Sequence, residues 1–379
     1  MRPTASPLAL ALALAAPTGA QAQGTPGAPT GPFQVGTIRV VAVDSSRAEL
    51  SAAGTSDARR LVVQVWYPAQ PTGHERRAPY VLELDRIAAD LAEAVPDVAP
   101  GTIRTSAWIE APPVAGRFPL LVFSHGMNSA RYFYTSLLQD LASHGFVVAA
   151  IDHPFWALTT AFDHGHGIGL AASMASRDQL TSDQIDGYMQ DGIGLMAEDQ
   201  AFVAERLAVL VPRLGRAMEG MPIGVVGHSM GGMAATLACS RFRVFAACAS
   251  LDGLVWAREG VSPIGQPATS VAKPFLLLTT PQFLPPDLSV AVARYRRAWD
   301  APQLCLVAGG RHNSASDLPR LRAGSGSTPE AERVAMVIRQ SVVEFFRTEL
   351  AGDPRRLAPP DSLLRLLPGA PPGSCPLAT

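Results

Sequence analysis

Apolar positions along this chain follow two periods that take turns. Val35–Val43 (VGTIRVVAV) and Arg60–Tyr67 (RLVVQVWY) are alternating or continuous apolar runs rich in β-branched residues, and they predict an early antiparallel hairpin or meander. Between Pro79 and Pro96, LELDRIAADLAEAV places its apolar residues at helical spacing. From Phe118 the pattern becomes regular. PLLVFSHG, FVVAAIDH, IGVVGHS, VFAACASLD, PFLLLTT and LCLVAGG predict buried strands. SLLQDLASHG (closed by Gly145), Met196–Leu214, GGMAATLACS, LSVAVARYRRAW and Pro329–Leu350 predict the helices between and after them. Such alternation predicts an α/β domain over 33–350, with a mostly parallel central sheet, helices on both faces and an antiparallel strand region at its N-terminal end.

The flanks read differently. Arg2, the apolar run Pro7–Ala16 and the small-x-small triplet Ala20-Gln21-Ala22 predict a signal peptide over 1–22, hence a periplasmic or secreted protein beginning near Gln23. The run is shorter than the ~20 residues needed to span a bilayer, and no later stretch reaches that length. Gly, Pro and Thr make 23–32 a flexible leader, and Pro and Gly make 351–379 a loosely packed tail. Within the domain, 155–198 is irregular, with several Gly and His, and reads as a cap or lid insertion. The 47% of apolar residues allow a sizeable core, while a net charge of -1 excludes the basic field that nucleic-acid binding requires. Four cysteines allow three pairings. Cys239, Cys248 and Cys305 lie in apolar segments, where small buried hydrophobes are as good a reading as disulfides.

Gly227-His228-Ser229-Met230-Gly231 has the form G-x-S-x-G between a predicted strand and a predicted helix, the context of a nucleophile elbow and of the α/β-hydrolase fold. The turn is strained, and a Cβ at either glycine would clash with the neighbouring chain. Ser229 needs a base, and His312, just after the last strand LCLVAGG, is placed for it. His125 and His144 precede the serine, against the chain order serine, acid, histidine. Asp252 ends the strand after the nucleophile helix and is the candidate acid. The next strand ends Thr279-Thr280-Pro281-Gln282, without a carboxylate until Asp287, which stands in reserve; Asp317 reads as a helix cap or surface residue. The backbone N–H groups of Met230 and Met127 are the candidate oxyanion donors. Phe155, Trp156 and Trp256 follow strand ends and are candidate substrate contacts, though core packing accounts for each equally well. Asp163-His164-Gly165-His166 lacks an ordered partner and reads as a polar loop rather than a metal site. No cofactor is called for.

Those residues carry a resemblance. Phe118–His153 (FPLLVFSHGMNSARYFYTSLLQDLASHGFVVAAIDH), GHSMGG, the LDG at Asp252, GGRHNSASD around His312 and VWYP at Val65–Pro68 resemble the platelet-activating-factor acetylhydrolases of the plasma and type II class. The resemblance implies an α/β-hydrolase fold, no metal, and cleavage of short or oxidised acyl chains from the sn-2 position of phospholipids, with transient contact to a lipid surface. It implies a triad of Ser229, Asp252 and His312, with oxyanion donors at Met127 and Met230. Met230 departs from the family's frequent Phe, and neither 155–198 nor the tail has a counterpart. Polyester hydrolases and cutinase-like lipases share SHG and GHSMGG but place the acid one strand later. A general short-chain carboxylesterase or lipase is the alternative activity, and a non-catalytic binding module on the same fold is the alternative class.

Overall fold

The computed structural model describes residues 26–49, 57–163, 167–170, 181–254, 270–323, 327–357 and 361–378. The expected signal peptide lies outside them. Thirteen strands are seen among these residues: β1 (Gln34–Ala48), β2 (Ala58–Ala69), β3 (Arg77–Pro79), β4 (Arg104–Ile109), β5 (Leu120–Ser124), β6 (Val147–Asp152), β7 (Thr159–Thr160), β8 (Ile168–Gly169), β9 (Ile223–His228), β10 (Phe245–Leu251), β11 (Phe275–Thr279), β12 (Gln303–Val307) and β13 (Leu364–Leu366). Eleven form one sheet in the order β13-β12-β11-β10-β9-β5-β6-β2-β1-β4-β3, and β7 and β8 form a separate pair. From β12 to β6 every pairing is parallel. The sheet is extended antiparallel by β2 against β6 and β1 against β2, as the early apolar runs predict.

Helices α1 (Leu84–Ala94), α2 (Thr135–Ser143), α3 (Ser182–Leu210), α4 (Pro212–Met218), α5 (Met230–Arg241), α6 (Leu288–Ala298), α7 (Leu318–Ala323) and α8 (Pro329–Ala351) cover the sheet. Side chains alternate across a strand, so a strand buried on both faces feeds two cores. In β5, Leu120 and Val122 join the cluster that holds α3, α4, α5 and α6, while Leu121 and Phe123 join the one that holds α1, α2, α7 and α8. This is why the central strands read as unbroken apolar runs.

Local composition misleads at three places. The chain from residue 26 on is not a free leader: Gly27 N–H donates to Ser136 Oγ (2.6 Å), Thr30 N–H to Asp140 Oδ1 (2.7 Å) and Gly31 N–H to Ser143 Oγ (2.9 Å), strapping it along α2. Nor is the tail loose, because β13 pairs with β12 and Cys375 is disulfide-bonded to Cys305. A second disulfide joins Cys239 of α5 to Cys248 of β10, so the four cysteines are paired rather than free apolar groups. Finally, 182–195 is helical despite Gly187, Gly192 and Gly194. Thr181 closes a capping box with Gln184, and packing overrides the low helix propensity of glycine. No helix of the described residues is long and apolar enough to cross a membrane.

Candidate active site

The residues singled out by the motifs converge at the C-terminal edge of the parallel strands, where open α/β sheets build their sites. Ser229 follows β9 and precedes α5 with φ 54° and ψ -122°, a region that L-residues avoid. The glycines make this turn feasible: a Cβ on Gly227 would overlap the Gly231 carbonyl, and one on Gly231 would overlap the carbonyls of Ser124 and His125. A Cβ on Gly126, in the loop after β5, would lie only 3.1 Å from the Ser229 Cβ. The loop carrying Met127 is thus pressed against the elbow. Met230 begins α5, so its N–H has no acceptor within the helix. Met127 is half-buried and sits in a turn closed by Ser129 N–H donating to the Gly126 carbonyl (3.1 Å).

Ser229 Oγ lies 2.9 Å from His312 Nε2. On the far side of the imidazole, Nδ1 stands 3.4 Å from Asp252 Oδ2. That is longer than a formed hydrogen bond, and such contacts commonly tighten only when substrate binds. Asp252, like Ser229, has a left-handed backbone (φ 50°), which turns its carboxylate from the end of β10 toward the neighbouring loop. Burial pushes its carboxyl upward, but His312 and two threonines outweigh that and hold it below the usual carboxylate range. The threonines are those that end β11: Oδ1 accepts from Thr279 Oγ1 (2.9 Å) and Thr280 N–H (2.6 Å), and Oδ2 from Thr280 Oγ1 (2.8 Å). The strand that lacks an acid instead supplies the donors that hold one. His312 is clamped in turn: its N–H donates to Gln282 Oε1 (3.1 Å), and the Phe283 ring stacks on its imidazole at 4.1 Å.

The remaining carboxylates lie elsewhere. Asp287 is exposed and caps α6, accepting from Val290 N–H (3.3 Å). Asp317 is neither exposed nor on the surface: it accepts from Tyr80 Oη (3.1 Å) and Ser136 N–H (3.2 Å), and burial raises its carboxyl to about 6. Phe155 is half-buried with φ 70°, and Trp156 is buried, with its ring 4.3 Å from that of Tyr188 on α3. A Cβ on Gly192, one turn beyond Tyr188, would collide with both Trp156 and Met230, so this glycine lets α3 close over them. Trp256 lies outside the described residues, as do His164 and His166.

A second serine–histidine–aspartate chain lies behind the loop that carries Met127. His153 Nε2 is 2.9 Å from Ser124 Oγ, and His153 Nδ1 is 2.8 Å from Asp199 Oδ2. All three residues are fully buried. The Asp199 carboxylate only accepts, so in the neutral ring the proton sits on Nδ1 and Nε2 accepts from the Ser124 hydroxyl, whose oxygen in turn accepts from Gln200 Nε2 (2.8 Å). Arg59 grips Asp199 with two bonds (3.2 and 2.6 Å), and Arg47 adds a third contact (2.9 Å). Burial alone would raise the Asp199 carboxyl, but Arg59 and His153 hold it well below the usual range. Fully buried, this chain braces the end of β5 and the turn that carries Trp156 against α3. Asp199→Asn removes the carboxylate that Arg59 and Arg47 share but leaves Arg59 its ion pair with Glu49, so it is expected to destabilise the fold by about 1–3 kcal/mol in urea unfolding; a loss under about 0.5 kcal/mol would contradict the account. Because the folded carboxyl is held low, its stabilisation is complete above the ordinary carboxylate range and fades as the pH falls from that range down through the lowered folded value. The variant's deficit should shrink in acid accordingly.

Comparison with known proteins matches this architecture. Residues 27–162 fit the family model "Platelet-activating factor acetylhydrolase, isoform II", and 121–370, more than half of the chain, fit the alpha/beta hydrolase family model. A platelet-activating factor acetylhydrolase from Bos taurus is 31% identical over 99 residues, 24% of this chain and 22% of that protein. A probable 1-alkyl-2-acetylglycerophosphocholine esterase from Arthroderma benhamiae is 25% identical over 252 residues, 60% of this chain and 58% of that protein. The chain thus spans less than two thirds of these curated relatives. Among solved structures, a ferulic acid esterase from Streptomyces cinnamoneus superposes with a TM-score of 0.72 at 27% identity, over 91% of this chain and 100% of that one. The mostly parallel sheet, the elbow at Ser229 and the match over 121–370 together establish that this chain belongs to the alpha/beta hydrolase family.

Proposed function

We propose that this protein is an exported carboxylic ester hydrolase that removes short acyl chains, with the sn-2 ester of phospholipids as its substrate class. The observation that carries the reading is the 2.9 Å contact between Ser229 Oγ and His312 Nε2 with the Asp252 carboxylate behind the ring. In the first step His312 takes the Ser229 proton, and the oxygen attacks the ester carbonyl. The N–H groups of Met230 and Met127 hold the oxyanion, and Asp252 stabilises the imidazolium. His312 then returns the proton to the departing alcohol, and water, deprotonated by the same histidine, hydrolyses the acyl-enzyme. Phospholipid preference is supported by the relatives named as acetylhydrolases and glycerophosphocholine esterases. Export is supported by the apolar leader with its small-x-small triplet and by two disulfides, which persist in oxidising compartments.

One observation favours a second reading. A structural neighbour that covers 91% of this chain is a ferulic acid esterase, which points to esters of ferulic acid rather than phospholipids. Hydrolysis of an sn-2-acetyl ether phospholipid beside p-nitrophenyl butyrate and methyl ferulate separates the two. Turnover of the phospholipid with kcat/KM at or above that of the other esters is expected. Turnover of the simple esters alone would move the assignment to a general esterase, and turnover of none would overturn the hydrolase reading.

A further inference from the structure

Between the two arms of the site runs a chain of hydrogen bonds to which neither the nucleophile nor the acid belongs. Tyr134, next to α2, and His228, beside the nucleophile, are both buried, at 1% and 2% exposure. His228 Nε2 is 2.7 Å from the main-chain carbonyl of His312. A carbonyl only accepts, so Nε2 carries the proton. In the neutral ring Nδ1 is then an acceptor, and the Tyr134 hydroxyl, 2.8 Å away, must donate to it. The Tyr134 oxygen in turn accepts, over longer distances, from Gly126 N–H (3.4 Å) and Ser129 Oγ (3.3 Å), both in the loop that holds Met127. Every proton in the chain thereby has one direction, from the oxyanion loop through Tyr134 and His228 to the carbonyl of His312.

We propose that Tyr134 and the Nε2-protonated, neutral His228 are positioning residues that tie the oxyanion loop to the loop carrying the general base. The inference rests on the hydrolase reading above. The geometry explains why the link is needed. Gly126 and His312 lie on opposite sides of Ser229, on loops after β5 and β12, strands that have three others between them in the sheet. A change in either loop moves the oxyanion donors relative to the base, and misplacement by about 1 Å costs up to roughly 100-fold in rate. Neutrality also matters, because the His228 ring is 4.6 Å from that of His312 and a second positive charge there would oppose the imidazolium formed in each step. Burial first, and then the neighbouring His312, lowers the His228 imidazole to about 4, while Asp252 and the His312 carbonyl act in the opposite sense.

Two measurements test the proposal, and one does not depend on activity. In ¹⁵N-histidine-labelled protein, with His228→Gln to assign the signal, His228 is expected as the neutral Nε2–H tautomer from pH 6 to 9. An Nδ1–H tautomer, or an imidazolium at pH 7, overturns the proposal whether or not the protein hydrolyses esters. The second is kcat and KM for p-nitrophenyl butyrate, normalised to sites titrated by a fluorophosphonate so that only folded, competent protein is counted. Tyr134→Phe is expected to lower kcat about 10-fold with KM within twofold. His228→Asn, which removes the donor to the His312 carbonyl, should lower it at least as much. His228→Gln, whose amide reaches the place of Nε2, should recover about fivefold over the Asn variant. The double variant Tyr134→Phe/His228→Asn should be no worse than the poorer single one, since both cut the same chain. A lower Tm with kcat per titrated site unchanged, or losses that simply add, means that the two residues serve stability alone and overturns the proposal. Failure of the parent protein to titrate would instead count against the hydrolase reading.

Discussion

Ser229→Ala is expected to lower kcat for p-nitrophenyl butyrate about 10⁴- to 10⁶-fold while leaving the fold intact. The loss is large because the serine, the base and the acid act as a unit, and removing the nucleophile leaves only binding and oxyanion stabilisation to water attack. Stability should change little. Among the described residues the Ser229 side-chain oxygen hydrogen-bonds His312 Nε2, and alanine keeps the Cβ and the main-chain bond from residue 229 N–H to the Leu251 carbonyl (2.7 Å). Circular dichroism and Tm should therefore match the parent protein. Residual turnover within tenfold of the parent, in protein freed of contaminating esterases, would exclude Ser229 as the nucleophile.

Asp252→Asn is expected to cost about 10⁴-fold in kcat at neutral pH, with the fold preserved. The surrounding donors predict how. Thr279 Oγ1 and Thr280 N–H both point at Oδ1, so an asparagine would place its carbonyl oxygen there and its NH₂ where Oδ2 now stands. The Thr280 hydroxyl can turn round and accept from that NH₂. His312 Nδ1, 3.4 Å from the same atom, would then face a donor. The imidazole would lose its Nδ1 proton and carry one on Nε2, where it meets Ser229 Oγ as a donor and not as a base. Asp252→Ala removes this bias toward the wrong tautomer, so it should be no worse than Asp252→Asn. If Asp252→Asn retained more than a tenth of the parent kcat, Asp252 would not be the group that orients His312.

What was legible in the sequence follows from how local each determinant is. The elbow could be read because its demands fall on five consecutive residues: two glycines where neighbouring carbonyls leave no room for a Cβ, and a serine held at positive φ. The central strands could be read because burial on both faces keeps polar residues to positions at or next to their ends, such as Ser124, Asp152 and Ser250. Asp252 was legible only in part, from its place at the end of β10, since the threonines that hold its carboxylate are 27 and 28 residues further on. Thr279 and Thr280 left one signal, two adjacent hydroxyls at the end of a strand without an acid. Tyr134 left none, because its partner His228 is 94 residues away. His153 and Asp199 are 46 residues apart, one on a predicted strand and one on a predicted helix, and no local pattern pairs them; between them, glycines disguised the first half of α3. The leader and the tail were misjudged for the same reason. Their Gly and Pro content describes intrinsic flexibility, whereas α2 on one side and the Cys305–Cys375 bond on the other hold them in place.

The sequence by itself determined the α/β class, the order of the central strands along the chain, and the candidate nucleophile and base, because periodicity and turn chemistry act within a few residues. The tertiary structure decided which groups hold those residues in register: two threonines for the acid, a tyrosine and a second histidine between the two loops, and a buried carboxylate–histidine–serine chain behind them. Hydrogen-bond geometry depends on distances set by the packing of separate strands and helices, and no local pattern of residues encodes such distances.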